Sequence, residues 1–355
     1  MSVATVDQAK LMEFVGKFVG DFGATLPAPL VLIGERLGLY KAMADTGPMT
    51  PAQLASHTGT NERYVREWLC AQAASGYAEY DADTGRFSLS PEQAFALANE
   101  GGPAYILGAF HIALAMMRDM PKLTDAFVTG EGVGWHEHDH ALFHGTEKFF
   151  RSNYAGNLTS NWIPALDGVE EKLTRGATVA DIGCGHGSST ILMAQAYPRS
   201  RFTGFDYHPP SIDRARDLAK LAGVADRVSF AIAAAKDYPG RGYDFVACFD
   251  CLHDLGDPVG AADHVRQSLE SDGTWMIVEP FAHDRVEDNL NAVGRIFYSA
   301  ASMICTPASK AQEVGLALGA QAGEARLREV VTAGGFTRVR RAAETPFNLV
   351  LEARP

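Results

Sequence analysis

Apolar positions near the start of the chain recur at helical spacing. Leu11, Phe14, Val15, Phe18, Val19 and Phe22 share one face, between Asp7, a capping residue type, and the glycines Gly20 and Gly23. The pattern predicts a helix over residues 7–22 whose apolar face needs a cover, either the chain's own core or a second copy of it. Helical spacing resumes from Leu30 to Met43. A short helix follows from Thr50-Pro51, and a third, opened by Asn61, carries Tyr64, Val65, Trp68 and Leu69. Two strand-like runs, 76–80 and 86–89, flank Asp81-Ala82-Asp83-Thr84-Gly85, a hairpin-turn sequence. Helix, helix–turn–helix and hairpin, in that order, is the order of a winged helix. Residues 91–175 read as mainly helical, with loops near 130–134 and at Gly145.

From about residue 176 the period changes. Strand-like runs at 178–182, 201–206, 228–233, 243–249 and 274–279 alternate with connecting segments that include helical runs at 188–196, 210–221 and 258–269, and a further helix is expected at 324–333. Such alternation predicts a parallel sheet with helices on both faces. The last two runs, 337–342 and 347–353, are separated by Glu344-Thr345-Pro346, too short for a crossover helix, so one of them must run antiparallel. The expected fold is α/β: a Rossmann-like, doubly wound seven-stranded sheet with a C-terminal antiparallel hairpin, preceded by a mostly helical winged-helix domain. The expected boundaries are 1–95 for the first helix and winged helix, 96–175 for a helical linker or substrate cap, and 176–355 for the sheet domain.

Composition narrows the partners. With 46% hydrophobic and 21% charged residues, the 355-residue chain is an ordinary globular protein. Its 43 acidic residues outnumber 31 Lys and Arg, for a net charge of -12, which disfavours binding to a phosphate backbone. The winged-helix segment 50–90 is itself acidic: Arg63, Arg66 and Arg86 face Glu62, Glu67, Glu79, Asp81 and Asp83. A structural or dimerising role is therefore expected there rather than DNA recognition, and no nucleic-acid partner is expected. Five scattered cysteines point to a reducing compartment. No leader pattern precedes the first helix, and the longest uncharged run, residues 101–117, is short and broken by Pro103. A cytoplasmic protein without a membrane partner is expected.

The chemistry begins at Asp181-Ile182-Gly183-Cys184-Gly185-His186-Gly187, where a strand becomes a helix. A dinucleotide loop, Gly-x-Gly-x-x-Gly, needs its third glycine at position 188. That position is Ser188, and the third glycine arrives early, at Gly187. Asp206 ends the next strand, where a carboxylate can accept hydrogen bonds from ribose hydroxyls.

With these features residues 176–355 resemble class I S-adenosylmethionine-dependent methyltransferases. Asp181–Gly187 matches their first motif and Gly204-Phe205-Asp206 the acidic end of their second strand. With the winged helix in front, the whole chain is similar to small-molecule O-methyltransferases of plants and bacteria, and closer still to an actinobacterial group of unassigned substrate. The resemblance implies S-adenosylmethionine as cofactor, contacted by Asp181, Gly183, Cys184, Gly185, Asp206, Tyr207, Ala235, Lys236 and Phe249. Lys236 stands where the family often has an acid. The family's His-Asp-Trp-x-Asp run has its counterpart in His253-Asp254-Leu255-Gly256-Asp257, with Leu255 in place of Trp. The implied catalytic residues are His253, as general base, and Glu279, holding the imidazole from the end of the next strand.

A small-molecule acceptor is expected, methylated on a hydroxyl oxygen. His138, His140, Tyr154, Trp162 and Tyr298 are its candidate lining, and a homodimer is expected. Transfer to carbon or nitrogen without a base, and a regulator that binds S-adenosylmethionine, are the rival readings. Neither the histidines of Trp135-His136-Glu137-His138-Asp139-His140 nor Cys248-x-x-Cys251 is expected to hold a metal.

Overall fold

The computed structural model describes residues 6–355, which form two compact units: residues through Leu114 together with Ala141–Ser152, and Ala115–His140 together with Asn153–Pro355. The segment 96–175 is thus divided between them.

In the first unit the helix Gln8–Thr25 starts on Asp7, whose carboxylate accepts from the backbone of Ala9 (2.9 Å) and Lys10 (3.3 Å). It runs through both glycines to Thr25, and none of its residues is buried. The single helix expected over 30–43 is two, Ala28–Arg36 and Leu39–Thr46. Gly38 breaks them apart at φ +67°, a conformation that stops a helix at little cost only for glycine. Pro51–Thr58 and Glu62–Ala74 then complete the helix–turn–helix, opened by a Thr50–Gln53 capping box and an Asn61 cap. The wing is a short hairpin, β1 (Glu79–Asp81) on β2 (Arg86–Ser88).

Gly145 is not in a loop. It lies within the helix His140–Asn157, where a Cβ would stand 2.7 Å from the backbone nitrogen of Ile112 on the helix Gly108–Arg118. Gly108 faces it, with its own Cβ position 2.4 Å from the Phe149 nitrogen, so the two glycines let two backbones cross closely. Beside this crossing the Glu35 carboxylate accepts from His111 Nε2 (2.6 Å), Lys148 Nζ (2.6 Å) and Tyr105 Oη (2.8 Å). Burial alone would raise the pKa of Glu35; the bonds from His111, Lys148 and Tyr105 outweigh it and bring it down to about 2.

The second unit is built on seven strands: β3 (Thr178–Ile182), β4 (Arg201–Asp206), β5 (Val228–Ile232), β6 (Tyr243–Phe249), β7 (Leu269–Pro280), β8 (Arg338–Glu344) and β9 (Asn348–Arg354). Their order is β5-β4-β3-β6-β7-β9-β8, parallel throughout except for β9, which runs antiparallel to both its neighbours. β3, β6, β9 and the 273–280 half of β7 are almost continuously buried, as strands covered on both faces must be. Helices Ser188–Ala196, Pro209–Leu221, Pro258–Ser268 and Gly323–Ala333 connect them. The winding reverses between β3 and β6, which places a crevice at their carboxyl ends. The pairing Ile182↔Cys248, Phe249↔Val278 and Pro280↔Asn348 brings the loops after β3 and β6, the end of β7 and the start of β9 onto one edge. Among the described residues no helix is long and apolar enough to cross a membrane.

Candidate active site

The glycine loop turns at three left-handed positions, Gly183 (φ +68°), Gly185 (φ +52°) and Gly187 (φ +78°). A Cβ on Gly183 would stand 2.8 Å from Cys251 Sγ, and one on Gly187 2.6 Å from the Phe230 ring. Nothing stands within 4 Å of a Cβ on Gly185. The outer two glycines therefore serve packing, while the middle one presents open backbone for a ligand to approach.

Asp181 is buried at the head of this loop. Its Oδ2 accepts from the hydroxyls of Ser189 and Thr190, both at 2.6 Å, while its buried Oδ1 has no partner. Burial, working against those hydroxyls, lifts its pKa to about 6. On the neighbouring strand Asp206 accepts from the backbone of Gly185 and of His208, each at 2.9 Å. Cys184 is turned inward, its backbone nitrogen bonded to Phe205 O (3.0 Å). Tyr207 is exposed, its ring edge-on to that of His136 at 6.3 Å. Ala235 is half-buried, and Lys236 is exposed and ion-paired with Glu313.

At the end of β6 the chain enters a short 3-10 turn, Leu252–Asp254, that holds His253 almost wholly buried. Glu279 Oε2 stands 2.5 Å from His253 Nδ1, and Glu279 Oε1 accepts from Leu252 N at 2.9 Å, so one carboxylate fixes both the ring and its turn. On the other side Asp254 Oδ1 lies 3.1 Å from His253 Nε2, and Asp254 Oδ2 accepts from Trp135 Nε1 at 2.9 Å. Burial acts to lower the pKa of His253, but the Glu279 and Asp254 charges outweigh it and push it well above the ordinary imidazole value. Burial likewise acts to raise Asp254, and the adjoining imidazolium and the Trp135 indole bring it below the usual carboxylate range.

Phe249 is buried with its ring 5.0 Å from that of Tyr154, which lies 6.1 Å from Trp162. The structure thus brings these three expected residues together. Tyr154 Oη is 3.4 Å from Asp250 Oδ2, and Asn348 Nδ2 is 3.4 Å from Asp250 Oδ1. Asp250 takes φ +50°, a left-handed conformation uncommon outside glycine. Burial drives its pKa well above the ordinary value. His138 belongs elsewhere: its Nδ1 is 2.7 Å from the buried Asp119 carboxylate. His140 is exposed at the head of its helix, and Tyr298 is half-buried on the helix Ala292–Ala300.

Sequence reasoning did not single out Asp250, Asp254, Asn348 or Trp135 as site residues. Asp254 had a signal, its place beside His253. The other three are joined to the site by contacts across 96 to 119 positions of chain, for which no local pattern exists.

Strand order, glycine loop and strand-end acid together define a class I methyltransferase, the class whose methyl donor is S-adenosylmethionine. Residues 26–99 match the Rv2258c-like winged HTH domain and residues 173–330 a methyltransferase domain, so the chain is an S-adenosylmethionine-dependent methyltransferase with an N-terminal winged helix. The mitomycin biosynthesis 6-O-methyltransferase of Streptomyces lavendulae is 24% identical over 267 residues, which cover 73% of this chain and 75% of that protein. A trans-aconitate 2-methyltransferase of Streptomyces coelicolor is 38% identical over 85 residues, only 24% of this chain and 28% of that one. Among solved structures, human N-acetylserotonin methyltransferase in complex with S-adenosylmethionine superposes with a TM-score of 0.73 at 15% identity, covering 99% of each chain. The mitomycin 7-O-methyltransferase superposes with a TM-score of 0.68 at 21% identity, covering 98% of this chain and 99% of that one.

Proposed function

We propose that this chain transfers a methyl group to a hydroxyl oxygen of a small, aromatic or hydroxylated acceptor, with His253 as general base and Glu279 as its orienting carboxylate. The observation that carries this reading is the buried Glu279–His253 pair, 2.5 Å apart, on the edge that also carries the glycine loop. A phenol, with pKa about 10, needs help to lose its proton near neutrality. Glu279 on Nδ1 leaves Nε2 as the atom that takes it. The similarity to the 6-O- and 7-O-methyltransferases of mitomycin supports oxygen as the accepting atom.

Bound S-adenosylmethionine supplies an electrophilic methyl group on a sulfonium. The open backbone at Gly185 and the unpartnered Asp181 Oδ1 fit such a ligand. In this reading Asp206 takes the ribose hydroxyls, Asp181 the cationic methionine end, and the Tyr154–Trp162–Phe249 aromatics the acceptor ring. Segments 115–140 and 153–175, in the same unit as the sheet, carry the acceptor pocket. The exposed apolar helix Gln8–Thr25 joins a second copy in a homodimer.

A second reading, transfer to carbon or nitrogen without a base, draws on Asp254 Oδ1, which stands 3.1 Å from His253 Nε2, the atom a base would use. The deciding experiment is methyl incorporation into a panel of phenols by wild type and His253→Ala, with cofactor affinity measured by calorimetry. The expected result is a loss of about 10²–10⁴-fold in turnover with affinity nearly intact. Full-rate turnover by His253→Ala removes the base role.

A further inference from the structure

On the Nε2 side of His253 lie two further donor groups that methyl transfer does not require, the Asp254 carboxylate and the Cys305 thiol. His253 Nε2, a carboxylate oxygen of Asp254 and Cys305 Sγ are all buried and lie within 4.8 Å of one another. Cys305 closes the π-helical turn Ala301–Cys305, and such turns gather at functional sites because the extra residue re-aims side chains.

Two details mark the three as ligands. Asp254 Oδ1 stands 3.1 Å from Nε2 without a well-aligned hydrogen bond between them. With zinc bonds of about 2.0–2.1 Å to nitrogen and oxygen, two ligands at a tetrahedral angle sit about 3.3 Å apart. The 3.1 Å spacing is close to that of two ligands on one ion. The outer contacts are also those a metal site needs. Glu279 holds His253 Nδ1 at 2.5 Å and Trp135 holds Asp254 Oδ2 at 2.9 Å, fixing each ring and carboxylate for coordination.

We propose that His253, Asp254 and Cys305 form a binding site for a borderline-soft divalent cation of the zinc class, and that its occupancy inhibits the enzyme. Thiolate with imidazole selects zinc or cobalt over magnesium and calcium, which prefer all-oxygen sets. On binding, metal–sulfur, metal–nitrogen and metal–oxygen bonds form. The thiol proton and any proton on Nε2 leave to solvent, and nothing is oxidised or reduced. Three protein ligands leave a fourth position for water. The Nε2 lone pair is then committed to the metal. Inhibition thus rests on His253 being the base, whereas the coordination does not. This departs from the sequence-based expectation that the chain holds no metal.

The test titrates metal-free enzyme with cobalt(II), and separately with zinc, in wild type and Cys305→Ala. Cys305 takes no part in the proposed methyl transfer, and removing its thiol leaves His253 and Glu279 in place. One equivalent of cobalt(II) should give wild type a thiolate-to-cobalt charge-transfer band that Cys305→Ala lacks. Zinc should inhibit wild type, reversibly on chelation, with affinity lowered more than about 100-fold in Cys305→Ala, since losing a ligand costs more than the roughly 10–100-fold of losing an outer partner. No band in wild type, or an equal band in Cys305→Ala, overturns the site. A Cys305-dependent band with zinc-insensitive turnover upholds the site and instead overturns His253 as the base. Zinc raising the melting temperature of wild type but not of Cys305→Ala is a further expected result, read without any acceptor.

Discussion

Replacing Asp254 by Asn removes one of the two charges that hold the proton on His253 while keeping an oxygen for Trp135 Nε1 to bond. The charges are 3.1 Å apart at closest approach. Their attraction is about 5 kcal/mol at an effective dielectric constant of about 20, and about 1 kcal/mol in bulk water. The imidazole pKa should therefore fall once that attraction is removed. The sign follows from His253 being raised in the folded state. Its proton stabilises the fold fully below the unfolded value of about 6.5, and that stability is lost as pH rises through the folded pKa. Asp254→Asn should shrink that contribution and populate the neutral imidazole at lower pH. The assay is an NMR titration of the His253 ring, assigned by difference with His253→Asn, followed by the pH dependence of kcat/KM once an acceptor is in hand. Both midpoints should move down together. A midpoint that stays in place, or moves up, refutes the claim that Asp254 holds the proton.

Asp206→Asn should weaken S-adenosylmethionine binding by about 10–100-fold in calorimetry, the cost of losing a charge-assisted hydrogen bond. Glu35→Gln should destabilise the first unit by about 3 kcal/mol at pH 7, read by urea unfolding. The depressed pKa of Glu35 gives stability that is present above about 4.5 and lost as pH falls toward about 2, so the difference between variant and wild type should close across that window. Phe14→Asp with Phe18→Asp, both on the exposed face of the first helix, should weaken self-association by about 10²–10⁴-fold in sedimentation, since each buried Phe is worth about 1.5–3 kcal/mol.

The centre of the sheet is legible because β3 and β6 are covered on both faces. The runs 178–182, 201–206 and 243–249 coincide with β3, β4 and β6 residue for residue. Glycine was read less well, because one residue type serves opposite purposes. Gly38 ends a helix inside a run of unbroken helical spacing, and Gly145, a loop residue type in sequence, lets two helices cross. Around His253 the ordering was similar. His253 and Glu279 announce themselves by motif and strand end, and the geometry joins them. Asp250 gives no sign in sequence, because its meaning lies in a left-handed backbone and in Tyr154 and Asn348, which come from other parts of the chain. His138 looked like a pocket residue by its neighbours in sequence, but its partner is Asp119.

The place of β9 bears on how the molecule is made. It leaves the ribosome after β8 yet lies between β7 and β8, so until residues 348–354 emerge both of those strands lack the neighbour they need. During that interval synthesis exposes two unsatisfied strand edges, the situation most open to mispairing with other nascent chains. The same seven residues bring Asn348 to Asp250. Completion of the sheet and the approach of Asn348 to Asp250 are therefore one event, and a chain stalled before it would hold its glycine loop but lack that contact.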